Sequence, residues 1–167
     1  MESWIFTSLW FVLWCWTVNL SLNALGYATL RFAWLRTRDR ALDGREAFFD
    51  HKRFLGDSTT WGGLILVAIL GLIGMNIWPG RYLLLLSFSV YAGHALGSFI
   101  KRRLELPRGA YLPFVDHGDY LITAGAVACA LGIVSGWSIV FWIFFTIATT
   151  PLVTSAAFYL HLRRAPL

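Results

Sequence analysis

The sequence predicts an all-α, polytopic membrane protein with five transmembrane helices, the N-terminus outside and the C-terminus in the cytoplasm. Two observations carry this expectation. The 167 residues are 57% hydrophobic and only 14% charged, with a mean hydropathy of +0.62, which is more apolar than a soluble domain of this size can cover with polar surface. The cations, moreover, fall almost entirely on one side of the apolar runs. Nine Trp and thirteen Phe suit a protein with two membrane–water interfaces. The length suits one domain over residues 1–167.

The first apolar run, from about Trp4 to Leu30, holds no charge. It is preceded by an acid and no basic residue and is longer than the core of a leader peptide, so it is expected to span rather than be cleaved. The second runs from about Trp61 to Trp78, the third from Tyr82 to Ile100, the fourth from Tyr120 to Gly136 and the fifth from Ser138 to Leu162. A helix needs about 20 apolar residues to cross a bilayer; an outer-membrane barrel would instead show alternating segments of about ten. The short connections Pro79-Gly80-Arg81 and Ser135-Gly136-Trp137 make successive helices antiparallel neighbours. Cys15 and Cys129 lie far apart inside apolar runs, match no metal or redox spacing, and read as small packing residues.

Every Lys and Arg except Arg81 lies between the first and second runs, between the third and fourth, or in the tail. The positive-inside rule puts that face in the cytoplasm. A pI near 9.6 would admit nucleic acid, but the basic residues sit beside apolar spans. Anionic lipid headgroups explain them more simply, so no nucleic-acid partner is expected. Every Asp and Glu except Glu2 lies on the same face. Orientation requires cations and says nothing about acids. Both signs crowding into two polar segments, 31–60 and 101–119, suggest a site.

The first segment contains "LDGREAFFDHKRFLGDSTTWGG", Leu42 to Gly63. Asp43-Gly44 signals a turn. Lys52 and Arg53 precede Gly56-Asp57-Ser58-Thr59-Thr60, and Gly62-Gly63 opens the second run. Glycines and hydroxyls at a helix N-terminus suit a phosphate; the plainer reading is a helix cap at Ser58 or Thr59. The second segment contains "SFIKRRLELPRGAYLPFVDHGDY", Ser98 to Tyr120. Lys101, Arg102 and Arg103 end one helix, Pro107 and Pro113 are expected to break it and stiffen the loop, and Asp116 and Asp119 share a face if the next helix begins near Val115. Two close carboxylates at a membrane helix end call for a positive partner. Mg²⁺ with substrate phosphates is one such partner; ion pairs with Lys101 to Arg103, or plain solvation, are the alternatives. Together these groups suit phosphoryl or nucleotidyl transfer, in which the protein positions groups and neutralises charge.

The two quoted stretches resemble the signatures of the CDP-archaeol synthase family, grouped with the phosphatidate cytidylyltransferases, and the likeness extends over the whole chain. The resemblance implies an integral enzyme of the cell membrane, with its site on the cytoplasmic face, using CTP and Mg²⁺. It would transfer CMP to a lipid phosphomonoester, archaeol phosphate-like or phosphatidate-like, giving CDP-lipid and pyrophosphate. Carried over by position, Asp57, Lys101, Arg102, Asp116 and Asp119 handle metal or triphosphate. Lys52 and Arg53 match the basic pair before Gly56-Asp57, Thr60 and Gly63 the hydroxyl and glycine after it, and Ser98 and Arg103 flank the Lys-Arg pair. In these roles Lys101, Arg102, Asp116 and Asp119 are catalytic; Lys52, Arg53, Gly56, Thr60, Gly63, Ser98 and Arg103 bind substrate; and Asp57, Asp116 and Asp119 hold metal. The chain departs from the pattern twice. Thr59 stands where the family carries Lys, and His94 where it carries Asp. His94 is thereby a further candidate ligand, although neutral imidazole suits softer metals than Mg²⁺.

A second reading follows from those departures: a catalytically impaired relative that binds lipid phosphate or nucleotide as a membrane scaffold. Transport fits less well, because the acids sit at one end of the spans rather than mid-membrane. A Ser155–His161 hydrolase lacks an acid and an oxyanion donor.

Overall fold

A computed structural model of the chain describes residues 2–77, 82–106 and 112–159. Its helices are α1 Glu2–Arg31, α2 Ala33–Arg38, α3 Trp61–Ile77, α4 Tyr82–Arg103, α5 Pro113–Ala130 and α6 Gly136–Tyr159. A helix thus stands at each of the five apolar runs, and α2 is an addition inside the first polar segment. The turn Pro79-Gly80-Arg81, together with Pro107, Arg108, His161, Leu162, Arg163 and Arg164, lies outside the described residues.

α1 and α4 contain stretches long and apolar enough to cross a membrane, Trp4–Thr29 and Tyr82–Arg103. α3 and α6 carry shorter apolar stretches, Trp61–Asn76 and Gly136–Thr150. Their outer faces remain apolar, with Ile65, Ile69, Leu72, Ile73, Phe141, Phe144 and Phe145 exposed, as on helices that are hydrophobic all round.

α4 packs between α3 and α5, α6 lies against α5, and α1 touches every other helix. The buried face of α1 repeats at helical spacing through Phe11, Val12, Cys15, Val18 and Leu22. It meets Leu83, Leu86, Val90 and Tyr91 of α4 and Tyr120, Leu121, Ala124 and Ala128 of α5. Cys15 sits in this core as a free thiol, and Cys129 is also free. Two indoles of α1 find buried acceptors: Trp14 Nε1 donates to Ser87 Oγ at 3.0 Å and Trp16 Nε1 to Thr146 Oγ1 at 3.2 Å. An unbonded N–H would be costly in so apolar a setting.

α5 lies further toward the N-terminus than its apolar run predicts, beginning at Pro113, close to the start near Val115 that puts Asp116 and Asp119 on one face, and it stops at Ala130 rather than Gly136. Pro113 starts it instead of breaking it, since its fixed φ and missing N–H suit the first helical turn. Asp116 Oδ2 then accepts the Leu112 N–H at 3.0 Å while the Asp116 N–H donates to Leu112 O at 2.8 Å. At the other end Gly132 adopts φ +67°. Ile133 N–H reaches Ala128 O, and Gly132 N–H reaches Cys129 O, both at 2.9 Å. This pair of bonds is a Schellman stop, which the hydrophobicity of the following residues conceals.

The first polar segment folds back on itself. Residues 39–42 pair with 59–62 through Leu42 N–H to Thr59 O (2.9 Å) and Trp61 N–H to Arg40 O (3.0 Å). An inner hairpin pairs Ala47 with Arg53. It begins at the expected turn, where the Arg45 N–H donates to Asp43 Oδ1 at 3.0 Å.

Candidate functional site

Three pieces of chain meet at one end of the helix bundle: the loop Gly56–Thr60, the last turns of α4 and the first turns of α5. Ser98 joins the first two. It is buried on α4, with Ser58 Oγ and Thr59 Oγ1 each 3.2 Å from its Oγ. Lys101 of α4 then pairs with Asp116 of α5. The two polar segments, some 40 residues apart in sequence, are therefore one assembly. The cations in the last turn of α4 also face the negative end of its dipole.

Most of the candidate cations are held by acids or carbonyls of the chain. Arg53 pairs with Asp57 at 2.7 Å and Asp43 at 3.1 Å. Lys52 pairs with Glu105 at 2.7 Å and donates to Arg103 O at 3.3 Å. Arg103 pairs with Asp50, donates to Arg53 O, and lies 4.5 Å over the Phe99 ring and 5.3 Å over Phe48. These three tie the hairpin to α4. Arg102 differs. Among the described residues its side chain makes no ion pair or hydrogen bond; its Nε is buried without a hydrogen-bond partner, as are those of Arg53 and Arg103. A Cβ built on Gly56 would stand 4.0 Å from that nitrogen, so the free guanidinium lies against the Gly56–Asp57 loop.

Asp119 occupies a notch in α4 that the sequence reading missed. A Cβ on Gly97 would run into Asp119 Oδ2, and one on Gly93 would come within 2.6 Å of Asp119 O and Tyr120 Cα. Two glycines four residues apart let α4 and α5 approach closely; the G-x-x-x-G spacing was the available signal. Lys101 and Asp116 lie within electrostatic reach of Asp119. Asp57 instead turns to Arg53, and among the described residues no three His, Cys, Asp or Glu side chains gather as a metal cluster. The expected set Asp57, Asp116 and Asp119 is thus not preassembled, with or without His94. His94 is half-buried on α4 and lies beside the backbone of Ser58, the plain role of a bundle-facing histidine.

The start of α3 is not the open anion site that its glycines and hydroxyls suggest. Gly62 N–H donates to Asp39 Oδ1 at 2.8 Å, Gly63 N–H to Thr60 Oγ1 at 3.1 Å, and Trp61 and Leu64 N–H to Arg40 O and Thr60 O. An internal carboxylate, Asp39, fills the place expected for a phosphate, and Thr60 rather than Ser58 or Thr59 is the cap. Gly63 and Thr60 thus serve the helix start. Asp39 lies too far back in the sequence for any local motif to have flagged it.

Burial opposes ionisation of Asp43, but the N–H groups of Arg45 and Leu55 and the Arg53 guanidinium outweigh it, so its carboxyl lies below the ordinary range. At Asp50 desolvation is again the largest single effect, outweighed by Arg103 and the Lys52 N–H together, and Glu105 is held by Lys52; both shift the same way. Depressed folded-state values give stability that is complete above the unfolded pKa of about 4 and is lost as pH falls through the lower folded values. The thermal midpoint of the detergent-purified chain is expected to drop between about pH 5 and pH 3. Asp43→Asn should lower it at neutral pH and flatten that drop; parallel curves for the two proteins would refute the hairpin's part in it.

Comparison with known proteins agrees with this architecture. Residues 81–167 match the family model described as CarS-like: CDP-archaeol synthase. The CDP-archaeol synthase of Thermococcus gammatolerans is 33% identical, over 93% of this chain and 90% of the relative. That of Methanopyrus kandleri is 30% identical, over 95% and 91%. A solved structure described as "Structural insight into an intramembrane enzyme for archaeal membrane lipids biosynthesis" aligns with a TM-score of 0.57 at 27% identity, over 84% of this chain and 90% of that one. Apolar helices with a cluster of carboxylates, cations and hydroxyls at one end, and these likenesses, define a membrane transferase of lipid biosynthesis. The chain belongs to the CDP-archaeol synthase family.

Proposed function

We propose that the chain transfers CMP from CTP to an archaeol phosphate-like lipid, releasing pyrophosphate and leaving a CDP-lipid. The observation that carries this is Arg102, a semi-buried cation with no ion pair or hydrogen bond among the described residues, in a site whose other candidate cations are paired. An unmatched guanidinium beside a glycine loop is suited to a phosphate.

In this reading α1, α3, α4, α5 and α6 cross the membrane within one domain, 1–167. The N-terminus is outside, and the polar segments 31–60 and 101–119 lie in the cytoplasm. The cation asymmetry supports that orientation. It puts the lipid phosphate, at headgroup level, beside a nucleotide arriving from the cytoplasm.

The residues fit Mg²⁺. Asp116 and Asp119 offer hard carboxylate oxygens three residues apart on α5, and the absent Cβ of Gly97 makes the space that Asp119 Oδ2 occupies against α4. With only two protein carboxylates, the remaining ligands would be triphosphate oxygens and water, the usual arrangement for this ion. When bound, Mg²⁺ offsets the charge of the triphosphate. An oxygen of the lipid phosphate attacks the α-phosphorus of CTP in line, and the bond from that phosphorus to the bridging oxygen breaks, releasing pyrophosphate. Arg102 and Lys101 neutralise charge on the phosphates, Lys101 by exchanging part of its contact with Asp116. Lys52, Arg53 and Arg103 hold the hairpin and loop in place.

Incorporation of labelled CMP into lipid by the purified chain is expected, with Asp119→Asn near background. Equal incorporation by the two proteins would sink the assignment. The scaffold reading is favoured by the buried Thr59 where the family pattern has a cation. It predicts CTP binding without turnover, and activity gained in the double variant Thr59→Lys/His94→Asp.

A further inference from the structure

An open cleft of about 490 Å³ lies along the first polar segment, lined by Leu42, Asp43, Glu46, Phe48, Phe54 and Leu55 among others. Its size is that of a small-ligand site. Of its lining, only the Asp43 anchor has a part in the proposed transfer.

The polar groups of this cavity are unequal. Both oxygens of Asp43 are engaged, by Arg53 and by the N–H groups of Arg45 and Leu55. Glu46 is exposed, and among the described residues its carboxylate has neither ion pair nor hydrogen bond. Among the described residues that line it, Glu46 is therefore the acid whose carboxylate is free to accept. Phe48 and Phe54, with ring centroids 5.3 Å apart, give it an aromatic wall. The cavity also adjoins the candidate phosphate site. Leu55 lines it, and the next residue, Gly56, stands against the free Arg102.

A flat heterocycle with an exocyclic amino group matches these features. A carboxylate accepts from the N4 amino group of cytosine, and aromatic side chains pack on nucleobases. Uracil presents an oxygen at the same position, which a carboxylate repels. We propose that this cavity is the base subsite for the nucleotide, with Glu46 the residue that selects cytosine over uracil. The inference rests on the reading that a nucleotide is the co-substrate, and it adds where the base lies and what recognises it.

The test is calorimetric affinity of the full-length chain in nanodiscs for CTP, UTP and inorganic tripolyphosphate, read alongside CMP transfer. The wild type should prefer CTP. Glu46→Gln should lower the CTP-to-UTP affinity ratio by at least about tenfold and leave tripolyphosphate binding unchanged, since that ligand has no base. Ala47→Trp, which fills the cavity, should weaken CTP and spare tripolyphosphate. Loss of tripolyphosphate binding in both variants would mean a damaged fold and would count against the subsite. An unaltered CTP-to-UTP ratio in Glu46→Gln, or a wild type indifferent to the base, overturns it. A wild type that binds CTP selectively and transfers nothing overturns the transferase reading instead, with the base subsite still measurable.

Discussion

Arg102→Ala is expected to reduce CMP transfer by about 10²–10³-fold, the range for removing one preorganised charge stabiliser, with little change in thermal stability. The separation of the two effects follows from the surroundings of the side chain. Arg102 has no ion pair or hydrogen bond within the described chain, so its removal breaks none, and it relieves a buried Nε of its desolvation. Arg103 is the control next door. It holds Asp50, the Arg53 carbonyl and two phenylalanine rings, and Arg103→Ala should cost about 2 kcal/mol of stability from the charge-assisted contacts alone. Transfer rates normalised to folded protein, with thermal midpoints, decide between them. If Arg102→Ala transfers like the wild type, or if the two variants lose stability alike, the division into a substrate cation and a structural cation is wrong.

That division could not have been read from the sequence. Lys101, Arg102 and Arg103 are consecutive and chemically similar, so the stretch predicts a basic helix end and nothing more. Helical geometry points the three in different directions, about 100° apart. Each then meets a different neighbour, from α5, the Gly56 loop or the hairpin. The convergence of the two polar segments was legible, because both crowd charge of both signs beside apolar runs. The helices were legible too, since apolar runs of this length have few other uses. The start of α5 was not legible from the apolar run alone. Hydropathy marks where polar residues stop, whereas Pro113 and the Leu112–Asp116 bonds mark where the helix begins. The start of α3 misled in a similar way. Glycines and hydroxyls do expose N–H groups, but a carboxylate from 23 residues earlier had already taken the vacancy.

Gly97→Ala should reduce CMP transfer by about 10²-fold, the cost expected when a reacting group is displaced by about an ångström, while the fold survives. The added Cβ would run into Asp119 Oδ2 and lie 3.2 Å from its Cγ and 3.3 Å from Val115 Cγ1. All three are side-chain atoms, and a carboxylate can rotate away. Gly93→Ala, one turn earlier, has no such escape. Its Cβ would meet Asp119 O and Tyr120 Cα at 2.6 Å, and backbone can yield only if α4 and α5 separate. That variant should lose about 1–3 kcal/mol, the usual range for overpacking, and transfer should fall with it. Unfolding midpoints alongside rates separate the two cases. A Gly97→Ala protein that is stable and inactive means the notch sets the position of the Asp119 carboxylate, and with it the donor set that Asp119 forms with Asp116. A Gly97→Ala protein with full activity would mean that Asp119 can turn away without consequence, and the carboxylate would have to be removed from the site.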